Sequence, residues 1–188
     1  MKEEFQIHNQ FRESLERFLR HDPHLRRAAA QPFTYVSELV NTPAFLEPGI
    51  FMLTGGRQVG KTTCLKQFLA KVLREKRLQP AQVSFLTGEL IRDDTELRRE
   101  LLSELEGKRG WQVMVVDEIS YIKDWDKAIK FLADAGSLEH VTLLVSGSDS
   151  AILREAMKRF AGRRGRAAQV DFVFRPLGFA ESVVLKVP

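Results

Sequence analysis

From Gly49 onward the chain alternates two kinds of apolar spacing. Short, largely apolar runs occur at Ile50–Leu53, Val83–Leu86, Val113–Val116, Val141–Val145 and Val170–Phe174. Runs of this length suit strands buried on both faces of a parallel sheet. Between them, apolar residues recur at helical spacing. Leu65, Phe68, Leu69, Val72 and Leu73 share a face over Thr62–Lys76, and Leu97, Leu101, Leu102 and Leu105 form a second stripe, with Asp94 or Thr95 as its N-cap. Trp125, Ile129, Leu132 and Ala133 make a third, and Ile152, Leu153, Ala156, Met157 and Phe160 a fourth. Five strands alternating with helices predict an α/β fold, a mostly parallel five-stranded sheet with helices on both faces. In such folds ligands sit at the carboxyl ends of the strands.

Before Gly49 the pattern differs. Phe11, Leu15, Phe18 and Leu19 give one apolar face to a helix over Asn9–Arg20. Residues 21–48 carry Pro23, Pro32, Pro43 and Pro48 and read as irregular. The division expected is a helical and irregular lead-in over 1–48, packed on a core over 49–188.

Composition narrows the class. Cys64 is the single cysteine, which excludes a disulfide framework and a cysteine-based zinc site. No apolar run approaches the roughly 18 residues of a membrane span. Met1-Lys2-Glu3-Glu4 leads into a polar stretch rather than a secretory signal, so the expected location is cytoplasmic, without an anchor. The net charge of +4 is concentrated in Lys158, Arg159, Arg163, Arg164 and Arg166. Such a cluster suits nucleic acid, a phosphate or an acidic partner, and equally a solvated helix end.

The strongest chemical signal is Gly55-Gly56-Arg57-Gln58-Val59-Gly60-Lys61-Thr62, which fits the Walker A pattern G-x-x-x-x-G-K-[ST]. Glycines let backbone N–H groups wrap a phosphate, and the following helix turns its positive end toward the anion. Lys61 would reach the β- and γ-phosphates, and the Thr62 hydroxyl would ligate Mg²⁺. The match follows a predicted strand and opens a predicted helix, as the pattern requires.

Val113-Met114-Val115-Val116-Asp117-Glu118 has the Walker B form. Asp117 would hold the Mg²⁺, and Glu118 would be the base that polarises the attacking water. Ser146-Gly147-Ser148 ends the fourth strand, where Ser146 or Ser148 would hold that water, although Ser-Gly-Ser-Asp is also turn and cap chemistry. Gly162-Arg163-Arg164-Gly165-Arg166 offers a second cation for the γ-phosphate, with Arg163 first and Arg166 second. Phe33 or Tyr35, shortly before the first strand, would stack on a base. His21 and His24 lack companions for a metal site, and His8 and His140 stand alone. Thr87-Gly88 reads as a strand end, and Cys64 as a packed thiol.

Together GGRQVGKTT, VMVVDEIS, LLVSGSDS and AGRRGRA followed by RPLGFAES resemble the P-loop ATPases of the AAA+ superfamily, in particular the archaeal and bacterial ATPases with a further C-terminal domain. The resemblance covers roughly Arg26 to Ser182. It implies ATP hydrolysis with Mg²⁺ and a three-layer core with sheet order 5-1-4-3-2. It also implies a phosphate loop from Gly55 to Thr63, the pair Asp117 and Glu118, and Ser146 as sensor. Members often assemble into homo-oligomers with an arginine acting in trans. The chain ends at Pro188, soon after the fifth strand, so the expectation is a fragment lacking a lid, a C-terminal domain or a protein partner.

The function expected is an ATPase module that drives or gates an attached or partner domain. The alternatives are a nucleotide switch with negligible turnover and a small-molecule phosphotransferase, which usually lacks the Asp-Glu pair. A GTPase is disfavoured because N-K-x-D is absent, Asn9 and Asn41 being the only asparagines. An ABC ATPase is disfavoured by the absence of L-S-G-G-Q, and a helicase by the lack of room for a second motor domain.

Overall fold

The computed structural model describes residues 3–31, 35–159 and 162–175. Five parallel strands form one sheet: β1 (Gly49–Thr54), β2 (Val83–Thr87), β3 (Gln112–Asp117), β4 (Val141–Gly147) and β5 (Asp171–Val173). Their spatial order is β2-β3-β4-β1-β5, the expected order read from the other edge. Every residue of β1 to β4 is buried, as continuous apolar runs demand when both faces are covered.

The two faces carry separate cores. Ile50, Met52, Met114, Val116, Leu143 and Val145 point to the layer of α4 (Asp94–Leu105), α5 (Trp125–Asp134) and α6 (Ser150–Lys158). Phe51, Leu53, Val113, Val115 and Leu144 alternate with them. They face α3 (Lys61–Arg74) and the residues preceding β1. The result is a three-layer α/β sandwich.

The N-terminal part is more regular than its prolines suggest. The helix expected over Asn9–Arg20 divides into a 3₁₀ turn, Gln10–Arg12, and α1 (Leu15–His21), because the Ser14 hydroxyl accepts from the Arg17 N–H and starts a new helix. Residues 23–29, expected to be irregular, form α2 (Pro23–Ala29). Asp22 caps α2 through the His24 and Leu25 N–H groups, and Pro23 occupies the first helical position, where its missing N–H costs nothing. The cap of α4 is likewise Asp93, one residue before the expected pair. Phe33, Phe160 and the run from Pro176 to Ser182 lie outside the described residues.

These N-terminal elements wrap the sheet edge at β2. Phe5 is buried in the α4–α5 core and Phe11 in the α3 core. Asn9 sits between them. Its side-chain amide donates to the Phe85 carbonyl at 2.8 Å and accepts from the Phe85 N–H at 2.8 Å, as a neighbouring strand would. Arg12 donates to the Val83 carbonyl at 2.8 Å. An edge with unpaired backbone groups is a template for aggregation, and here it is closed.

Candidate nucleotide site

The end of β1 and the start of α3 are joined by the Gly55–Gly60 loop. Gln58 and Gly60 both adopt positive φ, 60° and 104°, a region open to glycine and strained for glutamine. A Cβ at Gly55 would lie 2.5 Å from the Phe174 carbonyl oxygen, so only glycine lets the segment after β5 lie against the loop. That segment is held by the Phe174 N–H on the Thr54 carbonyl.

Lys61 is buried at the first turn of α3. Its ammonium donates to the carbonyls of Gly55 at 3.0 Å and Gly56 at 2.8 Å and lies 3.3 Å from Glu118 Oε1. Thr62 Oγ1 donates to Asp117 Oδ2 at 2.6 Å. The other oxygen of that carboxylate accepts from the Ser146 hydroxyl. Ser146 is fully buried and also accepts from the Glu118 N–H at 3.1 Å. Its hydroxyl is therefore committed to the Asp117–Glu118 junction.

Glu118 has φ 50° and ψ 50°, a left-handed conformation rare for a side chain of its kind. Gly88, just after β2, makes room for it, since a Cβ there would overlap the Glu118 carbonyl oxygen. Ser148 donates to Glu118 Oε2 from its N–H at 3.2 Å and its hydroxyl at 3.1 Å.

A cavity of about 760 Å³ opens at this end of the sheet. Gln58 through Cys64 and Glu118 form one wall; His24, Arg27, Ala28 and Gln31 from α2 and its end, with Tyr35, Ser37 and Gln67, form another. Glu89 and Phe174 complete it. Thr63 is in this lining, whereas Gly55, Gly56, Arg57, Ser146 and Ser148 are not. Burial and the nearby Lys66 ammonium lower the His24 pKa. Burial raises the Cys64 thiol to about 11. The α2 residues were invisible to helical periodicity because α2 is two turns long with one buried apolar residue, Leu25. The Asp22-Pro23 pair, an N-cap before an N1 proline, is the signal that finds it.

The basic cluster lies elsewhere. Lys158 pairs with Glu155 at 2.8 Å, Arg159 with Asp126 at 2.6 Å, Arg163 with Asp134, and Arg164 with Asp171 at 2.5 Å. Arg164 also donates to the Ile50 and Val170 carbonyls and so seals the start of β1. None of the five lines the cavity. Among the described residues no group of three or more His, Cys, Asp or Glu could hold a metal ion, and no helix is long and apolar enough to cross a membrane.

A glycine-rich loop between a parallel strand and a helix, with lysine, threonine and a strand-end Asp-Glu pair around it, defines the P-loop NTPase class. Residues 47–183 match the model of the AAA domain family, and the chain belongs to that family. No curated protein matches it in sequence. Similar solved structures include Cdc6p from Pyrobaculum aerophilum (17% identity, TM-score 0.53, 79% of this chain and 46% of that one). The Aeropyrum pernix ORC1 protein, solved in complex with DNA, aligns at 15% identity and TM-score 0.54, over 82% of this chain and 49% of that one. A chain of the HORMA:CdnC:Trip13 complex from E. coli MS115-1 aligns at 14% identity and TM-score 0.50, over 95% of this chain and 64% of that one. At these identities the likeness is one of fold, that of AAA+ ATPases. The chain spans about half the length of the first two.

Proposed function

We infer that the chain is an ATP-binding, Mg²⁺-dependent ATP-hydrolysing module that drives or gates an attached or partner domain. The observation that supports this is the meeting of Lys61, Thr62 and Glu118 on one cavity wall, with Asp117 bonded to Thr62 behind it. A hydroxyl and a carboxylate 2.6 Å apart are the hard oxygen donors that suit Mg²⁺. Thr62 and Asp117 would hold the ion, which when bound neutralises charge on the β- and γ-phosphates. The loop N–H groups and the Lys61 ammonium bind the phosphates. Glu118 orients the attacking water and takes its proton. Tyr35, on the cavity wall, would stack on the adenine. Arg163 does not line its own chain's cavity, so its finger role belongs to a homo-oligomer, acting on a neighbour's γ-phosphate, with Arg166 as the other candidate. Nucleic acid is the weaker partner reading, because four of the cluster's five cations already hold carboxylates.

The test is ATP turnover per protomer against protein concentration, with Mg²⁺. Lys61→Ala abolishes nucleotide binding, and Glu118→Gln keeps binding while lowering turnover by about 100-fold or more. A rate that climbs with concentration supports the trans arginine. Binding unaffected by Lys61→Ala overturns the phosphate-loop reading. Binding without turnover above the Lys61→Ala control favours a switch.

A further inference from the structure

A second cavity, of about 370 Å³, opens at the other end of the sheet, where β3 and β4 begin. Its position follows from the topology. The strands of a parallel sheet all start at one end, so the loops that lead from helix to strand gather opposite the phosphate loop. Gln112 and Val141, the first residues of β3 and β4, stand here between the loop after α4 and the loop after α5. The volume is that of a small-molecule site.

The lining is rich in donors that hold nothing. Gln112 is only 5% exposed. Its side-chain amide nevertheless makes no hydrogen bond among the described residues, and neither of its polar atoms is sealed off, so it opens on the cavity. A buried amide without a partner is uncommon in a folded protein and calls for one. Arg109, Ser137 and His140 line the same cavity, and their side chains have no hydrogen bond or ion pair among the described residues.

Lys108 is half-buried in the same wall. It reaches Glu104 Oε2 at 3.2 Å, but that oxygen already accepts from Arg12 and Ser84, each at 2.5 Å. Desolvation lowers the Lys108 pKa in spite of Glu104, so the ammonium is short of negative charge. No Asp or Glu lines the cavity; Glu139 packs beside Gly136 at its rim. Lys108 and Arg109 would also suit a solvated helix end. Gln112 would not, since a helix end has no use for a buried, open amide.

We propose that this cavity binds the phosphoryl group of a small ligand, with Lys108 and Arg109 supplying charge and Gln112 and Ser137 hydrogen bonds. The donor set fits phosphate better than carboxylate. Three terminal oxygens accept from several directions, as donors on β3 and on two separate loops require, whereas a carboxylate presents two oxygens in one plane. Arg109 brings a planar fork and Lys108 a point charge, both suited to phosphate. Leu105 and Val141 add an apolar wall for the body of an ester. The site shares no residue with the nucleotide cavity, so it stands whether or not the chain hydrolyses ATP.

The test titrates the ¹⁵N-labelled 188-residue chain with inorganic phosphate and, separately, with β-glycerophosphate, at constant ionic strength. We expect saturable shifts of the Gln112 side-chain amide pair and the Ser137 N–H, beside those of Gly60 in the phosphate loop. Lys61→Ala removes the Gly60 response and leaves that of Gln112. Arg109→Gln, at an exposed position, weakens binding read at Gln112 by about tenfold or more and changes binding read at Gly60 by less than about twofold. Tighter binding of β-glycerophosphate identifies a phosphate ester as the occupant, and equal binding the free ion; either supports the site. A Gln112 pair that stays still, or moves without saturating, overturns the proposal. So does a Gln112 response that vanishes in Lys61→Ala, or an Arg109→Gln chain that binds like the wild type.

Discussion

Thr62 and Asp117 meet at 2.6 Å, joining the first turn of α3 to the last residue of β3 across 55 positions of sequence. The bond makes the phosphate loop and the acidic strand end one unit. We expect Thr62→Ala to weaken Mg²⁺-dependent nucleotide binding at least tenfold, while binding measured in excess EDTA changes little. Calorimetry with and without Mg²⁺ checks this. Equal losses under both conditions would remove Thr62 from the metal site.

Gly88 supports Glu118 by lacking a side chain. Gly88→Ala forces the Glu118 carbonyl to move, and we expect a stability loss of about 1–3 kcal/mol with a larger relative fall in turnover than in nucleotide affinity. Urea unfolding and steady-state kinetics on the same variant separate the two. Full turnover in Gly88→Ala would show that Glu118 tolerates the shift.

The buried pair Asp22–Lys66 ties α2 to α3. Both side chains are almost wholly inaccessible, and Asp22 also caps α2. Removing one charge strands the other, so Asp22→Ala should destabilise the chain by about 3–5 kcal/mol. Since α2 forms one wall of the cavity, nucleotide affinity should fall with it. A loss below about 1 kcal/mol in urea titration would contradict this account.

His8 is half-buried against Phe85, and its partial burial, helped by the Lys66 ammonium, lowers its pKa to about 4 from the ordinary 6.5. Its folded pKa lies below its unfolded one, so the unfolded chain binds more protons between those values. Stability is therefore complete above about pH 6.5 and falls as the pH drops toward 4. His24 acts in the same sense. We expect His8→Gln to flatten the stability profile between pH 6.5 and 4, measured by urea midpoints. An unchanged slope would place the acid sensitivity elsewhere.

Glu104, by contrast, is held down to about 2: burial works to raise it, but hydrogen bonds from Arg12 and Ser84 prevail. Its contribution is present above the ordinary carboxylate value of 4.5 and is lost as the pH falls toward 2. Glu104→Gln should weaken the hold of the N-terminal segment on β2, seen as faster amide exchange at Ser84 and Phe85 at neutral pH. Unchanged exchange there would mean that Asn9 and the Arg12 bond to the Val83 carbonyl secure the edge without Glu104.

What local patterns encode was legible without coordinates. Apolar runs with strand length, apolar stripes with helical spacing and the G-x-x-x-x-G-K-T loop are set by residues within a few positions of one another, so α3 to α6, the five strands and the phosphate loop could be read from the chain itself. Tertiary structure decided the rest. Asn9 acquires its meaning only because Phe85 lies beside it, 76 residues away. The α2 wall is tied to α3 by the Asp22–Lys66 pair, 44 residues apart, and by Leu25 in the shared core. Ser146 and Ser148 look alike in sequence, yet one holds Asp117 and the Glu118 backbone while the other holds the Glu118 carboxylate. Four of the clustered cations find carboxylates, three of them on α5 or β5. Hydrogen bonds and ion pairs act over about 3 Å, and which groups come that close across long sequence separations depends on how the layers pack, which no local pattern records.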